Sequence, residues 1–463
     1  MIGQKEKIDG DWIWILAFAL WGLVLVWKWP VAVSFGDEVG YVGQMRVLLE
    51  GRFRPMPQDP GIWIPSGHGL VARYPYFVPI LAAPLFAIHP RLIFLVGPLA
   101  ALALVFLTAR VLRAWGYSSG WASLILMHPT VIIMARTVMT DLVLAALVVG
   151  TWWTARHQRL GWTALLAAAA TLSKATGFVI VAGLAAGEML RAHRELRRRD
   201  RAAVRRIAFL AGGLAAGLIG TIALNFVATG RLWFEYDRAH EYLGTPQFWP
   251  SYFLTSAPVH LRSLLLVPPL LVAGVWPFWR RREFGPLVAG GGLVVMMCFY
   301  FFVDRGRSIV ETLLLSPRLI LPALAFLLIG YAALIADLWE RLTSHRYVPA
   351  LLAALPALIA VPISLRHRAW QDPDARALAT AAAVAGDDGV LGLTITSTKS
   401  GMLYAGRAVQ IETGARPAVI LCGRRYPSYR TVGDVGEFYN CDLPGYEKLE
   451  TDGNNSVLRR KGP

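Results

Sequence analysis

Acidic residues are scarce: Asp and Glu number 30 against 46 Lys and Arg, charged residues of both signs make up 16% of 463 positions, and cysteine occurs three times. Each shortage excludes something. Three cysteines cannot build a disulfide scaffold or a cysteine-ligated zinc cluster. Phosphate-cradling loops are missing too, since neither GxxxxGK[ST] nor GxGxxG after a strand occurs, which removes the usual ways of holding a nucleotide. No repeat of 20 to 50 residues is visible. The net charge of +16 does not read as nucleic-acid binding. Its Arg residues sit in short clusters between apolar segments, not on a separable basic domain with aromatic platforms.

What is present is hydrophobicity, at 56% of the chain. Apolar segments recur along most of the length, and each is long enough to cross a bilayer core, which takes roughly 20 helical residues. The first run, Trp12 to Trp29, is too long for a signal peptide and lacks a small-residue cleavage site, so it reads as a retained helix. Short basic loops stay cytoplasmic. On that rule Lys5 and Lys7, Arg110 and Arg113, Arg156 and Arg159, the block Arg191 to Arg206, Arg280 to Arg282, and Arg341 and Arg346 all lie inside. Joining these loops predicts about eleven transmembrane helices, with the N-terminus cytoplasmic. The stretch Tyr74 to His89 carries Pro75, Pro79 and Pro84 and reads as a broken interfacial or re-entrant segment on the outer side, the alternative being a true span that would reverse the orientation of everything before it.

Residues 1–365 therefore form a transmembrane module with a long first outer loop, residues 33–91. From about Arg366 the apolar runs shorten: VLGLTITST, AVQIET and PAVILCG read as strands and DPDARALATAAAVAG as a helix, a small extracytoplasmic α/β domain over residues 366–463. There Cys422 and Cys441 either pair in an oxidising exterior or stay as two buried thiols.

Ionisable groups kept at a membrane edge are candidates for function. Asp37 and Glu38 follow the first helix, Asp141 opens the fourth with Thr140 as its cap, Lys174 ends the fifth, Arg318 opens the tenth, and Arg73 precedes the Pro-broken stretch. Each also has a plain structural reading: a solvated loop for the acidic pair, a macrodipole partner for Asp141, a snorkelling cation for Lys174 or Arg318. A topology drawn only from basic loops puts all of them on the outer face. Carboxylates facing cations suit group transfer from a phosphate ester, with a carboxylate as general base and the cations holding phosphate. Nucleotide-activated donors are cytoplasmic, so an outer-face enzyme needs a donor that crosses the membrane, such as a sugar on a polyprenyl phosphate.

The motifs carry a resemblance. GDEVGYVGQMRVLLEGRF (Gly36 to Phe53), ARTVMTDLVLAAL (Ala135 to Leu147), TLSKATGFVIV (Thr171 to Val181) and SPRLILPALAFLL (Ser316 to Leu328) resemble, in order, the first-loop Asp-Glu motif, the second-loop acidic segment, the Leu-(Thr/Ser)-Lys-Gly element and the Arg-aromatic-x-x-Pro-x-x-Pro element of the C-type (GT-C) lipid-phosphate-sugar-dependent glycosyltransferases. Within them the branch is that of bacterial lipid A aminoarabinose transferases and protein O-mannosyltransferases. The resemblance covers about the first two thirds of the chain. It implies Asp37 as catalytic carboxylate with Glu38 beside it, Asp141 as the second-loop acid, and Arg73, Lys174 and Arg318 as donor-phosphate contacts. At ARYPYF (Ala72 to Phe77) many relatives read Glu-Lys-Pro-Pro-Leu; Ala72 here replaces a Glu that helps some relatives hold a metal. A divalent metal is thus compatible with the sequence but not required by it, and no metal ligand is assigned, His68 and His240 being weak candidates. Tyr41, Tyr74, His240 and Glu241 are expected to shape the substrate cavity.

The reading implied is an inverting transfer of a monosaccharide from a polyprenyl-phosphate carrier to a lipid, glycan or protein acceptor, at the outer face of a bacterial plasma membrane, without nucleic acid. A secondary transporter or flippase of a glycolipid or small anionic solute is the alternative from another class; transporters carry midplane charges and often inverted repeats. A non-catalytic receptor is a third, for which Asp37 would be dispensable.

Overall fold

The computed structural model describes residues 11–27, 29–66, 69–197, 200–230, 232, 248–266, 268, 270–300, 316–386, 389–393, 398–411, 414–423, 441, 443–452 and 455–461. In chain order its longer elements are helices α1 (Asp11–Trp27) and α2 (Gly36–Leu49), strands β1 (Trp63–Ser66) and β2 (Gly69–Ala72), and helices α3 (Phe77–Ile88), α4 (Val96–Ala114), α5 (Pro129–Ala135), α6 (Thr140–Arg156), α7 (Leu160–Ser173), α8 (Ala175–Arg197) and α9 (Arg201–Thr229). Then follow α10 (Phe253–Leu266), α11 (Phe284–Cys298), α12 (Leu321–Arg341), α13 (Tyr347–Ala385) and strands β3 (Leu391–Leu393), β4 (Ala408–Gln410), β5 (Val419–Gly423), β6 (Tyr446–Asp452) and β7 (Asn455–Arg460). The chain divides into two compact units: Met1–Lys28, Val96–Ala223 and His240–Ser364 in the first, Trp29–Leu95, Leu224–Ala239 and Leu365–Pro463 in the second.

The first unit is a helical bundle of membrane type. Among the described residues four helical stretches are long and apolar enough to cross a bilayer: Pro90–Ala114, Ala175–His193, Arg201–Ala228 and Pro317–Arg341. The pair α5 and α6, bent by 112° at their junction, makes a fifth if counted as one broken span. Shorter apolar helices include Trp14–Val26, Leu160–Ser173, Phe284–Cys298 and Tyr347–Pro362. Helices suit this setting because they satisfy every backbone donor and acceptor internally. Without a hydrophobic drive in lipid, helix pairs rely on close approach of small residues. On α8, Gly183 faces Ala289 of α11, and a Cβ added at Gly187 would lie 2.5 Å from the Gly285 Cα. Trp115, Trp152, Phe278 and Phe326 add a cluster of edge-to-face rings.

The second unit holds α2, α3, the β1–β2 hairpin and a five-stranded sheet of order β4-β3-β5-β7-β6. β3 runs parallel to β4 and β5; β7 runs antiparallel to β5 and β6. Alternate residues of β5 point to opposite faces. Val419 and Leu421 join Leu391, Leu393, Ala377 and Ala381 in one core, while Ile420 and Cys422 join Ile411, Leu458 and Cys441 in the other. Cys422 and Cys441 are disulfide-bonded, which resolves the two sequence readings in favour of pairing.

Three sequence expectations shift at this level. The helix read from Asp372 onward is not separate, because α13 runs unbroken from Tyr347 to Ala385. The pairing of β6 with β7 had no strand expectation, since Glu447, Lys448 and Glu450 interrupt any apolar alternation. The Pro-broken stretch does contain a helix: α3 has 12 residues with Pro84 inside it, about 18 Å long and so too short to span a bilayer core.

Candidate active site

Candidate residues fall into two groups, one in each compact unit. In the second unit they gather around α2. Glu38 reaches back from the third position of that helix, its Oε2 accepting from the Ser34 and Phe35 amides at 2.7 and 3.0 Å. A carboxylate there satisfies amide groups that a helix start leaves without intrahelical partners. Glu38 is fully buried, and the structure gives it the place of a cap that fixes how the chain enters α2.

Asp37, one residue earlier, is half-buried, and its Oδ1 accepts from the Tyr74 hydroxyl at 2.8 Å. Tyr74 is itself fixed from three sides. Its carbonyl accepts from Gln44 Nε2 at 2.5 Å, its ring packs 5.0 Å from that of Tyr41, and it lies over Gly40, where any Cβ would come within 2.4 Å of the ring. The Arg73 guanidinium is 5.6 Å from the Tyr74 ring centroid, within cation–π range. Arg73, Tyr74, Tyr41, Asp37 and Glu38, all singled out from sequence, thus stand together. The role of Gln44 was not legible there: a buried amide on an apolar helix face is a signal only once its partner is known.

In the first unit Lys174 Nζ donates to Asp141 Oδ1 at 2.6 Å. Asp141 sits in the first turn of α6, where a carboxylate complements the macrodipole, and Lys174 ends α7. The expected cap is corrected: Met139, not Thr140, is the N-cap, with Thr140 the first helical residue. Thr140 takes that place because the chain turns into α6 through Met139, whose extended backbone lies just outside the helix. The Ala135–Asp141 link is buried: Arg136, Thr137, Val138, Met139 and Asp141 are each at most 2% exposed. Among the described residues Asp141 Oδ2 is buried and accepts no hydrogen bond. Arg136, which sequence reading passed over, is wholly buried and donates to the Val24 carbonyl at 3.2 Å. Arg318 is half-buried in the 3₁₀ turn Ser316–Ile320, which packs against α5 and leads into α12. His68, His240 and Glu241 lie outside the described residues. Among the described residues no three His, Cys, Asp or Glu side chains are grouped so as to hold a metal.

Chemically, the Asp37–Tyr74 pair is a carboxylate with one oxygen oriented by a phenol, a geometry suited to accepting a proton. The Lys174–Asp141 pair is a part-buried ion pair, its carboxylate buried and its ammonium a quarter exposed, whose second carboxylate oxygen can accept from an incoming donor.

No family model matches the chain, and no curated protein matches it by sequence. Solved structures do. ArnT from Cupriavidus metallidurans bound to undecaprenyl phosphate superposes with a TM-score of 0.61 at 13% identity, over 96% of this chain and 97% of that one. The same protein in its apo state gives 0.59 over the same shares. The apo oligosaccharyltransferase of Archaeoglobus fulgidus gives 0.50 at 13% identity, over 88% of this chain and 65% of that one. At such identities the likeness speaks for architecture. The chain is a multi-pass membrane protein that shares the fold of these structures.

Proposed function

We propose that this protein is an inverting glycosyltransferase that moves a monosaccharide from a polyprenyl-phosphate carrier to an acceptor hydroxyl or amine at the outer face of the membrane. The observation that carries the reading is the Asp37–Tyr74 pair at the start of a buried helix, in a chain whose fold matches ArnT, a protein solved with undecaprenyl phosphate, along nearly its whole length. Asp37 takes the acceptor proton as the acceptor attacks the anomeric carbon. The bond between that carbon and the phosphate oxygen breaks with inversion, and polyprenyl phosphate leaves with the electron pair. Arg73, Lys174 and Arg318 hold the phosphate and stabilise the charge that grows on it. Asp141 fixes Lys174 with one oxygen and offers the other to the acceptor. Glu38 acts through the backbone that carries Asp37. The disulfide Cys422–Cys441 supports an oxidising, extracytoplasmic setting for the C-terminal sheet, and the basic loops support a cytoplasmic N-terminus in a bacterial plasma membrane.

The test is release of free polyprenyl phosphate from a labelled polyprenyl-phosphate sugar, in membranes or detergent, for the wild type beside Asp37→Asn and Lys174→Ala. Release that Asp37→Asn abolishes supports the enzyme and its base. No turnover across a panel of lipid-linked sugars with added acceptors, or normal turnover by Asp37→Asn, would overturn it in favour of a transporter or receptor.

A further inference from the structure

Helix α2 carries Asp37 at one end, and residues far along the chain grip it at both. Before its first turn, Gln371 of α13 donates through Nε2 to the Ala32 carbonyl at 2.5 Å and to Ser34 Oγ at 2.7 Å. Ser34 and Phe35 are the residues whose amides Glu38 caps. Gln371 is 2% exposed, so its donor is aimed inside the unit.

At the other end Arg46 spends its guanidinium on three carbonyls of one loop: Gly406 at 3.2 Å, Met402 at 3.1 Å, and Tyr404. The same guanidinium lies 5.1 Å from the Phe86 ring centroid. Burial lowers the Arg46 pKa to about 10, so those carbonyls still face a cation at physiological pH. The loop runs into the sheet, where the Leu391 backbone amide of β3 donates to the Arg407 carbonyl at 2.9 Å, and the Gln410 backbone amide of β4 donates to the Gln58 carbonyl, beyond the end of α2, at 2.8 Å. Sheet and α13 are joined in turn by Asn455 Nδ2 donating to Asp374 Oδ1 at 2.8 Å, one turn after Gln371.

A carboxylate held at one point can swing; one on a helix clamped at both ends keeps its distance from a reacting atom, and misplacement by about 1 Å can cost roughly 100-fold in rate. We propose that Gln371 and Arg46 are positioning residues through which the C-terminal α/β element holds α2, and with it Asp37, in its productive place. The C-terminal element is then part of what places the base. This rests on Asp37 being the base.

Steady-state release of polyprenyl phosphate from the labelled donor tests it in the full chain, with Gln371→Leu, Arg46→Gln and the conservative Arg46→Lys, each checked for a monodisperse detergent peak. The expected result is a fall in kcat of between about 10- and 100-fold for Gln371→Leu and Arg46→Gln, with KM for the donor within about twofold of wild type, and partial recovery of kcat in Arg46→Lys. Combining Gln371→Leu with Asp37→Asn should cost no more than Asp37→Asn alone, because a misplaced base and an absent one are the same loss. Unchanged kcat in monodisperse Gln371→Leu and Arg46→Gln proteins, while Asp37→Asn is dead, would overturn the positioning role and leave the base intact. Normal activity of Asp37→Asn would overturn both readings together. A rise in donor KM with kcat preserved would also overturn it, by moving these residues into donor binding.

Discussion

Tyr74 donates its phenolic hydrogen to Asp37 Oδ1 across 2.8 Å, although 37 residues separate them in the chain. That bond ties Asp37 to a tyrosine wedged over Gly40, and it makes the proposed base testable at more than one position.

Asp37→Asn should lower the rate of lipid-phosphate release by about 10² to 10⁴, the usual range for loss of a general base. Tyr74→Phe keeps the ring and its packing on Tyr41 but removes the hydrogen bond. A smaller loss, about tenfold, is expected in kcat with the donor KM unchanged, read in the same release assay.

Gly40→Ala adds a single methyl that must meet the Tyr74 ring at 2.4 Å. Alanine is ordinarily favoured over glycine in a helix by about 1 kcal/mol, so propensity and packing pull in opposite directions here. Packing should win, giving a lower melting temperature and at least about a tenfold fall in kcat. Gly22→Ala is the control: among the described residues no atom beyond its own helix backbone and chain neighbours lies within 4 Å of the added methyl, and activity and melting should hold or improve.

Lys174→Met leaves the Asp141 carboxylate buried without the partner that now sits 2.6 Å away. Breaking one side of a buried ion pair costs roughly 3 kcal/mol or more, because an uncompensated charge remains. Adding Asp141→Asn removes that charge, so the double variant should melt well above Lys174→Met in a detergent thermal-shift measurement. Activity should not return, since the donor-phosphate cation is still missing. Recovery of turnover in the double variant would mean that Lys174 is structural only.

Reduction of Cys422–Cys441 opens a loop whose ends are 19 residues apart. In the chain-entropy account this removes about 3 kcal/mol from the sheet. Dithiothreitol should therefore lower the melting temperature, and Cys422→Ser/Cys441→Ser should melt at the reduced value whether or not reductant is added.

The amino-acid sequence by itself determined that the chain lives in a membrane, where its apolar runs start and stop, that prolines interrupt residues 74–89, and which ionisable side chains were too costly to keep without a use. These are local properties. Hydropathy, proline and charge act within about 20 residues, because a span must satisfy its backbone and its solvent along its own length. Asp37, Asp141 and Lys174 were visible for that reason.

Only the tertiary structure decided what each of them touches. Glu38 reads in sequence as half of a catalytic pair, yet its carboxylate turns back to amides three and four residues away, a choice open to any acid near a helix start. Lys174 meets an acid 33 positions earlier, and Gln371 and Arg46 drew no notice although they hold α2 from partners more than 330 positions away. A glutamine in a polar run and a single arginine on a helix carry no local mark. Their hydrogen bonds form only because the chain brings residues 29–95 and 365–463 into one compact unit, where burial makes an unmet carbonyl or carboxylate costly enough to require a donor.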